Sequence, residues 1–382
     1  MIAPMQEGAA AAGQPLRDLA SGFFRADGAL GQLSGADFAY ETRPQQVEMA
    51  CAVADALETE SHLMVEAGTG VGKSLAYLAP LILHARRTAK RVMVSTHTIS
   101  LQEQLVGKDL PLLQARLGVA FRAVLVKGRA NYLCRRRLAR AHRHQGELFP
   151  DAVARDLERI RAWADSTGDG SVQEMSRPPL PEAWSAVCAE HGNCLGGKCP
   201  ERARCFLQRA RARMQDADVL VANHHLLFSD LALRIQGANF LPDVTEVVMD
   251  EAHTVEDTAS EHLGIRLSPY AFEHFLRRLY IPETGKGLLG YLRAGPAAQT
   301  AGRLWEAVAD LFHAVTKAAG LSAHEGTRTV PHPLEVETEV PELLRELSSR
   351  LGTLIEELEG RDEDTRSELK GLRGQAAALR GL

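Results

Sequence analysis

Apolar residues recur at helical spacing from Arg43 to Leu57. Val47, Ala50, Val53, Ala54 and Leu57 share one face there, which predicts an amphipathic helix. A short run, His62-Leu-Met-Val-Glu66, then reads as a strand entering a glycine-rich turn, and Ser74 to Leu83 as an apolar helix. Arg91-Val-Met-Val-Ser-Thr96 is the next buried strand, and Asp218-Val-Leu-Val-Ala222 and Glu246-Val-Val-Met249 add two more. Strand, turn, helix and strand in that order predict an α/β fold, a parallel sheet covered by helices. Residues 1–39, rich in Ala and Gly with little periodicity, read as a tail and loose lead-in.

Near Phe121 the pattern changes. Eight Arg or Lys and no acidic residue lie between Arg122 and Arg143. Residues 165–182 carry the Gly, Ser and Pro of a loop, and four cysteines follow between 188 and 205. A basic helix with Arg209, Arg211 and Arg213 comes next, before the sheet-like runs resume. The simplest architecture is one α/β domain interrupted by a cysteine-bearing insert. After about residue 262 the chain reads as helical, and residues 335–369 are acidic. There Leu343, Leu347, Leu351, Leu354, Ile355 and Leu358 follow helical spacing and predict a packed helix pair or bundle with a structural face.

At 382 residues the chain is too long for one ordinary core, so two or three domains are expected. A net charge of −5 does not announce a nucleic-acid partner, and any basic surface must be local. No basic segment followed by an apolar run opens the chain, and no stretch approaches the ~20 apolar residues of a membrane span. The chain therefore reads as cytoplasmic. In that compartment six cysteines are metal ligands or buried thiols rather than disulfides.

Ala67-Gly68-Thr69-Gly70-Val71-Gly72-Lys73-Ser74 fits a phosphate loop, with Ala67 where the strict pattern has its first glycine. Small residues let consecutive N–H groups curl around phosphate oxygens, and the following helix presents its positive N-terminal end. Lys73 would reach the β and γ phosphates, and Ser74 would hold Mg²⁺ through its hydroxyl. Asp250 and Glu251, at the end of an apolar strand, complete such a site. Asp250 would hold Mg²⁺, directly or through water, and Glu251 would polarise the attacking water. His224-His225 follow a buried strand and read as satisfied polar groups rather than metal ligands.

Cys188, Cys194, Cys199 and Cys205 lie close together, and Cys134 stands apart. Spacing alone selects the local four as a metal site and leaves zinc and a 4Fe–4S cluster open. Cys51 reads as a buried thiol in the Arg43–Leu57 helix. Arg135, Arg136, Arg137 and Arg140 precede the cysteines, and Arg202, Arg204, Arg209, Arg211 and Arg213 flank their far side. Together the two runs predict a basic surface for phosphates, with Tyr132 and Phe206 placed to stack bases.

Asp250-Glu-Ala-His253 after this P-loop resembles the superfamily 2 helicase signature. Around it the chain resembles the bacterial branch of the DinG/XPD-like iron–sulfur helicases. The matching stretches are Tyr40-Glu-Thr-Arg-Pro-Gln-Gln46, Glu66-Ala-Gly-Thr-Gly-Val-Gly-Lys-Ser74, Ser95-Thr-His-Thr-Ile-Ser-Leu-Gln-Glu-Gln-Leu105, Lys127-Gly-Arg-Ala-Asn-Tyr-Leu-Cys134 and Ala222-Asn-His-His225, together with the Asp250 motif. The resemblance implies that Gln46 reads the adenine edge with Arg43 nearby, and that His253 couples the nucleotide site to a neighbouring domain. It places Thr96, Thr98 and Gln102 along a single strand, against the alternative that they cap a helix. It also moves the first cluster ligand to Cys134, with Cys194, Cys199 and Cys205 completing a 4Fe–4S site and Cys188 spare.

The implied architecture is a RecA-like motor domain (40–120 and 215–262), an iron–sulfur insert (121–214) and an arch-like helical domain (263–382). The second motor domain of such helicases has no counterpart here, so the chain reads as an incomplete fragment. The implied function is ATP-dependent 5′ to 3′ unwinding of DNA in repair, with ATP, Mg²⁺ and the cluster as cofactors and single-stranded and forked duplex DNA as partners. The alternative is a nucleotide- and single-strand-binding module without unwinding activity. A P-loop kinase or transporter ATPase explains neither the cysteines nor the Asp250 motif.

Overall fold

The structure, a computed structural model, describes residues 13–32, 41–190, 192–235, 237–321 and 329–381. Tyr40 of the first matching stretch and most of the expected tail and lead-in, residues 1–12 and 33–39, lie outside them. The chain forms two compact units, residues 1–127 with 210–264 and residues 128–209 with 265–382.

The first unit is built on four parallel strands, β1 (Val92–Thr96), β2 (Ala123–Leu125), β3 (Val219–Asn223) and β4 (Glu246–Met249), in the order β2-β3-β1-β4. Val94 of β1 sits opposite Val221 of β3 and Val248 of β4. All five β1 residues are buried, as a central strand covered on both faces requires. The helix Lys73–Thr88 buries a continuous run from Ala76 to Ile82, joining a core that also takes Ala50 and Ala54 of the helix Pro44–Glu58. No helix among the described residues is long and apolar enough to cross a membrane.

Two expectations change here. Within the supposed lead-in, Leu16–Phe24 is a helix whose Leu16, Ala20, Phe23 and Phe24 enter the same core. Leu16, Leu19, Ala20, Phe23 and Phe24 follow the spacing of an amphipathic helix, a local signal that the surrounding Ala- and Gly-rich composition obscured. Second, His62–Glu66 joins no strand, and Leu63, Met64 and Val65 are exposed. A short apolar run becomes a strand only through a paired neighbour, and among the described residues the outer edge of β4 pairs with nothing.

In the second unit the helices Pro269–Leu279, Gly295–Ala318, Val340–Glu357 and Glu363–Gly381 share one apolar core. Leu343, Leu347, Leu351 and Ile355 point into it, as their spacing predicts. The insert adds the helices Arg135–Arg143, Asp151–Ala164 and Pro181–Val187. The expected separate insert and helical domains thus share one unit, and charge is part of what joins them. Arg136, Arg137 and Arg140 are at most 7% exposed. Arg136 donates to Asp364 at 2.8 Å and Arg137 to Glu368 at 3.0 Å. Arg278 donates to Glu190 at 2.5 and 2.9 Å and also to Glu368. Burial would raise the Glu190 and Glu368 carboxyls, but these arginines hold both below the ordinary carboxylate range.

Candidate functional site

The carboxyl ends of parallel strands are where α/β sheets place their sites, because the loops leave the sheet there toward helix N-termini. Asp250 follows β4 directly, and its N–H donates to the Ser95 carbonyl of β1 at 2.8 Å. The loop Ala67–Gly72, which leads into the helix that contacts Asp250, has Gly70 and Gly72 in the left-handed region at φ 82° and 87°. Side chains rarely take that conformation, so glycine is required at both turns. At Gly72 a Cβ would also stand 2.2 Å from the Gln46 side chain.

Lys73 donates from Nζ to the Ala67 carbonyl at 3.2 Å, folding back over the loop it terminates. Arg43 donates to the Gly70 carbonyl and Gln46 donates from Nε2 to the Gly72 carbonyl at 3.0 Å. Gln46 is buried, and one N–H of its amide goes to the loop. Glycines 68 and 70 face open space, so the loop is accessible from outside.

Tyr77, one helical turn beyond Lys73, donates its hydroxyl to Asp250 Oδ2 at 3.0 Å. Its phenol also interacts with Ser74, so the P-loop helix and the acidic pair are tied together. Burial, then the Asp250 carboxylate, pushes the Tyr77 phenol well above its usual range and keeps it a neutral donor. Glu251 takes a left-handed backbone at φ 56°, a strained choice for a side chain with a Cβ. Its carboxylate lies 3.6 Å from His253 Nδ1, and the His253 side chain is exposed. His224 is buried beneath this corner. A carbonyl can only accept, so His224 Nε2 donates to the Asp250 carbonyl at 2.9 Å, and Nδ1 accepts from the Ser95 hydroxyl at 2.7 Å. Both ring nitrogens are thus occupied, as in a satisfied polar group, and burial lowers the pKa of the ring. Tyr77, Ser95 and Asp109, which also interacts with Ser74, were not singled out by the sequence. Tyr77 alone had a readable signal, its position three residues after Ser74 on the same helical face.

Thr96 and Gln102, expected along a single strand, are both buried. Thr98 is a helix cap, accepting from the Leu101 N–H at 3.3 Å. Sheet packing has drawn Thr96 inward, since every position of a covered central strand is interior.

Cys134, Cys194, Cys199 and Cys205 line one cavity, whereas Cys188 opens on another beside Pro178 and Trp184. All are free thiols. Cys134 stands at the start of the basic helix; burial raises its thiol, against the lowering influence of Arg136 and Arg137. Among the described residues no three Cys, His, Asp or Glu gather closely enough to hold one metal ion. Four thiols lining one cavity are a donor set of the number and kind that either a single ion or a 4Fe–4S cluster would take.

Of the basic surface expected here, three arginines of the first run are interior and most of the second run stays exposed. Arg136, Arg137 and Arg140 are neutralised by carboxylates more than fifty residues away, beyond the reach of any local charge count. Tyr132 and Phe206 are buried as well, so neither can stack a base. Phe206 lies instead between the Arg135 and Arg209 guanidinium groups, at 5.0 and 4.8 Å. Lys198, Arg202, Arg204 and Arg209 remain exposed.

A parallel sheet carrying a glycine-rich loop and an Asp-Glu pair is the frame of a P-loop nucleotide-binding domain, and residues 46–146 match the family described as DEAD/DEAH box helicase. More particularly, the chain is 40% identical over 240 residues to the ATP-dependent DNA helicase YoaA of Escherichia coli (strain K12), covering 62% of this chain and 37% of that protein. It is 38% identical over 244 residues to YoaA of Haemophilus influenzae, covering 62% and 37%. To the ATP-dependent helicase DinG of Mycobacterium tuberculosis (strain ATCC 25177 / H37Ra) it is 39% identical over 254 residues, covering 62% and 38%. The chain is thus similar to DinG-like helicases over about 62% of its length and spans little more than a third of these relatives.

Proposed function

We propose that this chain is the ATP-binding part of a DinG-like, ATP-dependent DNA helicase acting in DNA repair. The bond from Tyr77 to Asp250 carries the reading, because it ties the first turns of the P-loop helix to the acidic pair that a nucleotide site needs. In this reading the N–H groups of residues 67–74 cradle the phosphates and Lys73 neutralises the β and γ groups. Ser74 and Asp250 would hold Mg²⁺, which supplies charge neutralisation at the phosphates. Glu251 accepts the proton of the attacking water, Arg43 and Gln46 serve the base once released from the loop, and His253 relays nucleotide state to a neighbouring domain.

Cys134, Cys194, Cys199 and Cys205 would hold a 4Fe–4S cluster, a rigid staple for the insert. Their shared cavity supports this set over one containing Cys188. The exposed Lys198, Arg202, Arg204 and Arg209 offer a basic surface to single-stranded and forked DNA, and the 5′ to 3′ direction follows from the resemblance.

The test is ATP hydrolysis by the purified chain with and without single-stranded DNA. DNA-stimulated turnover that Lys73→Ala reduces by at least ~100-fold is the expected result. Nucleotide and single-strand binding without turnover would instead identify a binding module.

A further inference from the structure

The nucleotide corner contains a second buried carboxylate that neither the P-loop nor the Asp-Glu pair accounts for. Asp109 ends Leu105–Asp109, a π-helical turn between the helices Ile99–Gln104 and Leu110–Arg116. Such turns are rare and gather at functional sites, because the widened ring redirects side chains. Leu105, Leu110 and Leu113 enter the core as an apolar face should, and Asp109 goes in with them at 6% exposure. Its side chain interacts with Gln104 and Ser74 and faces Asp250. Its Oδ2 is buried and has no hydrogen-bond partner.

Leaving a charged oxygen dry and unpartnered is unfavourable, and a second carboxylate nearby adds repulsion. Burial raises the Asp109 carboxyl and Asp250 pushes the same way, only partly offset by the neighbouring Lys108 and by Gln104 and Ser74. No lysine or arginine forms an ion pair with either carboxylate among the described residues. What the corner does have is Ser74, the hydroxyl that a nucleotide-bound cation would use.

Resting on the P-loop reading above, we propose that Asp109 is a further positioning residue for Mg²⁺, its unpartnered oxygen serving the ion that Ser74 and Asp250 would bind. Mg²⁺ keeps several of its waters and is held by only one or two carboxylates, so a buried acceptor beside the direct ligands has a defined task.

The experiment titrates Mg²⁺ into the full chain with a fluorescent ATP analogue and reads nucleotide binding rather than turnover. Asp109→Asn is expected to raise the Mg²⁺ concentration for half-maximal binding roughly 10-fold, the effect typical of groups that support metal ligands. Its affinity in EDTA should stay unchanged. If Asp109→Asn fails to fold, Asp109→Ser, smaller and still polar, should give the same shift. A variant curve that overlays the wild type while Asp250→Asn is displaced overturns the inference alone. If Asp250→Asn also overlays the wild type, the nucleotide-site reading falls with it.

Discussion

Tyr77 and Glu251 show how single side chains set the chemistry of this corner. Tyr77→Phe deletes only the hydroxyl that orients Asp250. A hydrogen bond to a charged group contributes about 1.5–3 kcal/mol, so roughly a 10- to 100-fold loss of Mg²⁺-dependent ATPase is expected, with nucleotide affinity in EDTA preserved. Glu251→Gln should retain nucleotide binding and lose about 100-fold or more in turnover, because the amide accepts no proton from water. Glu251→Gly would lose turnover equally but raise thermal stability, since glycine relieves about 1 kcal/mol of left-handed backbone strain. A melting curve beside an ATPase assay separates the two; a Gly variant that melts lower than the Gln variant refutes the strain argument. Spacing marked Lys73, Ser74, Asp250 and Glu251 as candidates, whereas it passed over Asp109, because nothing local marks an aspartate that faces inward.

At the level of elements, the strands β1, β3 and β4 and the helices after Arg43 and Gly72 could be read directly from apolar periodicity. His62–Glu66 had the same local character and formed no strand, because pairing lies outside the segment itself. The cysteine elements divide similarly. Spacing favoured Cys188 for its nearness in sequence, yet the short helix Pro181–Val187 turns it into a different cavity from Cys194, Cys199 and Cys205. Cys134→Ser should therefore abolish the visible thiolate-to-iron absorption of anaerobically purified protein, and Cys188→Ser should leave it intact. Equal loss in both variants would return Cys188 to the ligand set.

On the scale of a whole folded unit, the buried charges dominate. Glu368 accepts from Arg137 and Arg278, and Arg140 lies 4.0 Å away. Glu368→Gln would leave buried guanidinium groups short of a counter-charge, costing about 3–5 kcal/mol in denaturant unfolding. The ordinary carboxyl value is 4.5, and the folded value lies well below it, where the arginines outweigh the cost of burial. The stabilisation is therefore complete above about pH 4.5 and is lost as pH falls toward the folded value, so this unit should begin to unfold in acid below that point. A melting temperature independent of pH from 7 down to 3 would contradict this. By itself the sequence determined the α/β pattern, the phosphate loop, the acidic pair and the helical second half, because each is written in the spacing of neighbouring residues. Only the tertiary structure decided that Arg136, Arg137 and Arg140 are interior, that Tyr132 and Phe206 are buried, and that Cys134 shares a cavity with three distant cysteines. Burial and ion pairing depend on what the rest of the chain brings to a residue, and those partners stand from about fifty to more than two hundred positions away.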